Sequence, residues 1–193
     1  GNFATALIPF PLENVNCAAR LDEKHLILDS ASAELAGGVL TAGGTVSLAN
    51  NSEVSNIWMK LRGAGANYPE DVRSEIDADL NLTPTASQPA LSGEVRLRHS
   101  LVTRAVDESL RTTLSLLLEK LVFARNQSVL PLSLKVRIRN GDPLLISNNL
   151  GRIQADMDFV VSGDSSNPRM DGIIRLDPHS RLALQNRTFN IER

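Results

Sequence analysis

Over most of this chain, apolar and polar residues alternate one for one. In Ser74 to Leu82, Ile76, Ala78, Leu80 and Leu82 are separated by Asp77, Asp79 and Asn81. Further on, Ile153, Ala155, Met157, Phe159 and Val161 are separated mostly by Gln154, Asp156 and Asp158. A period of two places one set on each face of a pleated strand, so the sheet has one greasy face and one wet face. Gly or Asn/Asp/Ser/Pro clusters close the runs. In order, the pattern predicts a proline-broken edge segment over Phe3 to Val15, then a hairpin of Cys17 to Leu21 with His25 to Asp29, turning at Asp22-Glu23-Lys24. Short strands follow around turns at Gly37-Gly38, Gly43-Gly44 and Asn50-Asn51. Longer ones run through Ile57 to Leu61, Ser74 to Leu82 and Glu94 to Arg98, and strands resume from Leu132 to Arg193.

One stretch breaks the period. Between Thr103 and Arg125 the apolar residues are Val106, Leu110, Leu114, Leu117, Leu118 and Leu121, a helical stripe. Asp107 and Glu108 at its start and Lys120 and Arg125 near its end suit the helix dipole. The expectation is one amphipathic helix near 104–125 within an insert at 103–126, acting as a lid over the greasy face or as a cap joining two halves. It lacks the Lys/Arg-rich face of a membrane-surface helix.

The strands also repeat. Shifted by 79 positions, Asp77 to Leu97 meets Asp156 to Leu176: Leu80 meets Phe159, Leu82 meets Val161, Pro89 meets Pro168, Gly93 meets Gly172, and Val95-Arg96-Leu97 meets Ile174-Arg175-Leu176. A recurring unit that cannot bury its own apolar face suggests an elongated array. Residues 1–193 are expected to form a single domain with repeat units at about 15–102 and 132–193, cut from a larger protein.

Composition narrows the possibilities. The chain has 193 residues, 42% hydrophobic but only 4% aromatic, so the greasy face is aliphatic. That disfavours a ring-lined sugar or base-stacking surface. The net charge of −2 argues against a nucleic-acid partner. Cys17 is the single cysteine, so neither an internal disulfide nor a thiolate cluster is available. No run of about 18 apolar residues is present to span a bilayer as a helix.

The segments ADLNLTPTASQPALSGEVRL and ADMDFVVSGDSSNPRMDGIIRL, the preceding LILDSASAELAGGVLTAGGTVSL and the closing SRLALQNRTFNIER resemble, in that order, the recurring segments of one family. It is the C-terminal region of TamB, the translocation and assembly module subunit, within the AsmA-like group of bridge-like lipid carriers. The chain departs from the family pattern in having Asn186 where a glycine is usual, and in the leucine-rich stretch at 103–125. The resemblance implies a mainly β fold: a long antiparallel sheet curled into an open half-pipe, the β-taco, with an apolar concave face. It implies a periplasmic protein anchored in the bacterial inner membrane that passes phospholipid to the outer membrane. It also implies an Omp85-type, TamA-like β-barrel partner.

Read from the residues, an apolar sheet face must be covered. It can close into an ordinary sandwich or barrel core, or stay open and take acyl chains. On the open reading the lipid-lining candidates are Leu26, Leu28, Val46, Leu48, Ile57, Met59, Leu61, Ile76, Leu80, Leu82, Val95, Leu97, Val136, Ile138, Ile153, Met157, Phe159, Val161, Ile174, Leu176, Leu182 and Leu184, with Phe189 and Ile191 beyond. The alternative function is a scaffold whose strand edges pair with a client or barrel strand; the same edges give a route to a homodimer. Enzymatic chemistry is not expected, nor a metal or cofactor. His25, His99 and His179 lack ligand spacing. Gly163-Asp164-Ser165 falls in a predicted hairpin turn, not at a nucleophile elbow. Asp77, Asp79, Asp156 and Asp158 are expected outward and simply solvated.

Overall fold

The computed structural model describes residues 11–48, 55–66, 72–85, 88–103, 131–149, 151–178, 180–184 and 187–190. Within them lie twelve strands: β1 (Leu12–Leu21), β2 (His25–Leu35), β3 (Gly38–Ser47), β4 (Asn56–Ala66), β5 (Val72–Thr83), β6 (Ala90–Val102), β7 (Ser133–Asn140), β8 (Leu144–Asn148), β9 (Gly151–Asp164), β10 (Asn167–Leu176), β11 (Arg181–Leu184) and β12 (Arg187–Asn190). All twelve form one sheet. From one edge the order is β1 to β6, then β7 and β8 end to end, then β9, then β10 and β11 end to end, with β12 outside β11. Among the described residues no ladder joins β1 to β10 or β12, so the sheet is open.

The sequence repeat reappears as a repeat of register, and a wider one. Leu80 pairs with Gly93 and Leu82 with Leu91 in β5–β6, as Phe159 pairs with Gly172 and Val161 with Met170 in β9–β10. The same offset of 79 carries the pair Met59–Leu80 of β4–β5 onto Ile138–Phe159 of β7–β9. The unit is therefore three strands, β4-β5-β6 and again β7-β9-β10. An odd number of alternating strands leaves the last strand of one unit and the first of the next pointing the same way. Hence β6 and β7 pair in parallel, Val95 beside Ile138, and β8 also lies parallel to β6. The other ladders among the described residues are antiparallel, as expected. Parallel neighbours need a crossover of a dozen or more residues rather than a hairpin, and the chain makes that return between Val102 and Ser133. The helix expected near 104–125 lies outside the described residues, which themselves contain no helix.

Gly43-Gly44 is not a turn, contrary to the sequence reading. Both glycines sit inside β3, where the Trp58 ring lies over Gly43 and leaves no room for a side chain. One-residue bulges interrupt β1, β2, β4 and β6. Asn14 and His99 take positive φ in two of them, and Gly63 in a third. A bulge bends its strand and increases the local twist, which curls a sheet this wide. At Gly93, φ is +136°, and an added Cβ would stand 2.9 Å from the Leu80 Cα on β5. Only glycine permits that backbone approach.

The most buried apolar side chains gather on β7 and β9: Leu134, Val136, Ile153, Ala155, Phe159 and Val161 are all at or below 9% exposure. On β2 to β6 the same face is mostly half-buried, with the small Ala33, Ala64 and Ala78 buried.

Candidate functional site

The registers carry each apolar position across the sheet. One row reads Cys17, Ala31, Ala42, Met59, Leu80, Gly93, Val136, Val161, Met170, from β1 to β10. The row beside it, towards the β1–β2 turn, is Ala19, Leu28, Gly44, Ile57, Leu82, Leu91, Leu134, Gly163, Pro168. On the other side, from β2, run Ala33, Leu40, Leu61, Ala78, Val95, Ile138, Phe159, Gly172. No polar side chain interrupts any of the three. Directly opposed residues share a face in both kinds of ladder, so these rows form one continuous aliphatic surface.

From Leu26 to Leu176, the expected lining residues that lie in paired strands share one face by register, while Leu48 lies just past the end of β3. Leu26 pairs with Val46; Ile76 pairs with Leu97; Met157 pairs with Ile174; Ile153 pairs with Ile146. Leu182 pairs with Gly151 and with Phe189, and Leu184 stands two places on in β11. Their surroundings differ widely. Val136, Ile153, Phe159 and Val161 are buried, Met59 and Leu80 half-buried. Leu26, Leu48, Ile174 and Leu176, at the corners, are more than 40% exposed. Ile191 lies outside the described residues. The lining candidates left out Leu40, Leu91, Leu134 and Ile146, and the alanines of β2 and β3; Ala78 of β5 was placed on the apolar side by alternation but not among them. Leu40 and Leu91 each follow another apolar residue, Val39 and Ala90, which breaks the alternation. The alanines look neutral until a register sets them beside leucine and methionine.

The opposite face carries a chain of ion pairs. Arg62 contacts Asp79 at 2.5 Å, Asp79 contacts Arg96 at 3.0 Å, Arg96 contacts Glu94 at 2.8 Å, and Glu94 contacts Arg139 at 2.8 Å, so one network spans β4 to β7. Arg137 holds Asp158 at 2.5 Å, Arg98 bonds Glu75 and reaches Asp77 at 3.3 Å, and Asn140 bonds Asp156 at 3.1 Å. The four aspartates expected to be merely solvated are thus outward but partnered. The hydrogen bond from Arg62 holds the Asp79 carboxyl below its ordinary range, and that from Arg137 does the same for Asp158. Exposed pairs add about 0–1 kcal/mol each. Their larger effect is to keep this face in water, so that a second sheet does not stack on it.

The remaining candidates resolve locally. Asp164 accepts hydrogen bonds from the Ser166 amide at 2.8 Å and its hydroxyl at 2.6 Å, and the Ser165 hydroxyl accepts from the Leu132 amide at 2.9 Å. These are the contacts of a β9–β10 turn. His25 approaches Asp22 at 3.4 Å and His99 approaches Glu75 at 3.2 Å, while His179 lies outside the described residues. Among the described residues no three His, Cys, Asp or Glu side chains gather as metal ligands would.

Neither a curated protein nor a solved structure matches this chain. A family model, described as the TamB C-terminal domain, matches residues 29–193, from within β2 onward. That family takes part in the translocation and assembly module of the bacterial envelope, alongside an Omp85-type partner. With one model covering most of the sequence and nearly all of the sheet, the chain belongs to the TamB C-terminal domain family.

Proposed function

We propose that the aliphatic face is a path for phospholipid acyl chains, and that the chain is a non-enzymatic segment of a periplasmic bridge between the inner and outer membranes. The observation that carries this reading is the set of unbroken apolar rows crossing an open sheet. An acyl chain lying on such a surface gains about 0.8 kcal/mol per methylene removed from water. The three central rows offer no polar side chain to hold it in one place, which suits passage. The test is native mass spectrometry with lipid extraction from the purified chain. Co-purified phospholipid is expected in the parent and in Asn81→Asp, which is on the wet face. It is expected to be lost in Met59→Asp, which puts a charge among half-buried aliphatic groups. Equal lipid in Met59→Asp and parent refutes the reading.

The outer edges of β1 and β10, which carry no further strand among the described residues, favour a second reading, a scaffold that pairs a strand with an Omp85-type barrel partner during outer-membrane protein assembly. On that reading a proline in β10 weakens partner binding while lipid uptake is unchanged.

A further inference from the structure

At the end of the sheet where β9 begins, Arg152 stands directly opposite Arg181 of β11, and both side chains are exposed. Like charges directly opposed across a ladder are unfavourable. At the centre of the sheet such pairs are neutralised. Asp79 opposite Glu94 is bridged by Arg96, and Arg96 opposite Arg139 brackets Glu94 at 2.8 Å on each side. Arg152 and Arg181 have no carboxylate partner among the described residues. Across the β8–β9 ladder, Arg152 lies opposite the uncharged Ser147. The next outward residues of β9 are Gln154 and then Asp156, which faces Arg175. Asp177, whose amide bonds Gln154, is engaged by contacts of its own.

The opposite face of the same corner is its least covered part. Ile174 and Leu176 at the end of β10 are 45% and 44% exposed, and Phe189 of β12 is 49% exposed, although Ala155, which pairs with Leu176, is 1% exposed. This end therefore joins an open aliphatic surface to two uncompensated guanidinium groups on long flexible stems. Such stems bring their charge round the end of a sheet. Two guanidinium forks match the oxygens of a phosphate, which each can engage through paired hydrogen bonds.

We infer that Arg152 and Arg181 form a phosphate-binding pair at the mouth of the aliphatic face, taking the headgroup phosphate of a phospholipid whose tails lie among Ile174, Leu176 and Phe189. The assignment rests on the lipid reading above and adds the part of the ligand that is recognised. A free phosphate anion presents the same chemistry, so the test separates the two sources.

The full chain and its Arg152→Gln/Arg181→Gln variant are offered phosphatidylglycerol, diacylglycerol with the same tails, or inorganic phosphate. Lipid uptake is read by native mass spectrometry and phosphate binding by arginine Nε–H NMR shifts. The expected result is about a tenfold or greater preference of the parent for phosphatidylglycerol over diacylglycerol. The double variant is expected to lose the preference while its diacylglycerol uptake and its circular dichroism stay unchanged. Equal uptake of the two lipids by the parent, or a preference that survives in the variant, overturns the assignment and leaves the lipid path standing. If the parent takes neither lipid but phosphate shifts both arginines, the pair binds free phosphate, and the path and the headgroup assignment both fall. If the parent takes up neither lipid and phosphate shifts neither arginine, the site is overturned altogether.

Discussion

The three-strand repeat makes a demand at Gly93 that a single substitution can measure. Gly93 of β6 has φ +136° and faces Leu80 of β5, where an added Cβ would lie 2.9 Å from the Leu80 Cα and closer still to the Asp79 carbonyl oxygen. Alanine brings two costs. The backbone region suits glycine alone, and holding another residue there costs about 1–3 kcal/mol. Carbon atoms prefer a separation of about 3.5–4.0 Å, so β5 and β6 must part locally and strain one or two ladder hydrogen bonds, each contributing about 1 kcal/mol. Gly93→Ala should therefore lose about 2–5 kcal/mol, a large part of the roughly 5–15 kcal/mol that stabilises a typical domain. Gly37→Ala separates the two terms. It has φ +78° with nothing within 4 Å of the added carbon, so only the backbone cost of about 1–2 kcal/mol applies. Urea unfolding followed by Trp58 fluorescence and far-ultraviolet circular dichroism gives both values. A Gly93→Ala loss no larger than that of Gly37→Ala would refute the close approach, and with it the account of how β5 and β6 pack.

Other consequences are as direct. Phe159→Ala, at a residue 9% exposed, should cost about 3–5 kcal/mol, whereas Phe189→Ala, at 49% exposure, should cost much less in the same denaturation assay. Asp79 and Asp158 have carboxyl pKa values lowered in the folded protein by arginine hydrogen bonds. Their stabilising contribution is therefore complete above the unfolded value near 3.9 and is lost as pH falls through the lower folded values. Thermal melts should show the midpoint falling below about pH 4, and Asp79→Asn should flatten that acid limb. Because the Arg62–Asp79–Arg96 network is solvent-facing, a double-mutant cycle on Arg62 and Asp79 should give a coupling of about 0–1 kcal/mol that shrinks in high salt.

The family, and through it the expected half-pipe, was legible in the order of four short segments, none of them specific alone. Which side chains share the aliphatic face of a strand was legible for a simpler reason. Alternation such as Ile76, Ala78, Leu80, Leu82 tells which side chains share a face of their own strand, and that depends only on the geometry of one strand. The repeat at an offset of 79 was visible for β5–β6 and β9–β10 because their matched residues are similar in kind. It was not visible for β4 and β7, where Trp58 corresponds to Arg137 and Leu61 to Asn140. There the equivalence lies in the pairing Met59–Leu80 and Ile138–Phe159, not in the side chains.

By itself the sequence determined that this is an aliphatic, two-faced, mostly β chain, and, where the alternation is unbroken, which residues share a face of one strand, because a period of two is written locally. Only the tertiary structure decided which strands are neighbours. That choice sets the parallel junction between β6 and β7, gives Asp77, Asp79 and Asp158 arginine partners and Asp156 the side-chain amide of Asn140, and brings Arg152 face to face with Arg181. Pairing between strands far apart in sequence depends on register and strand direction across the whole sheet, which no local pattern records.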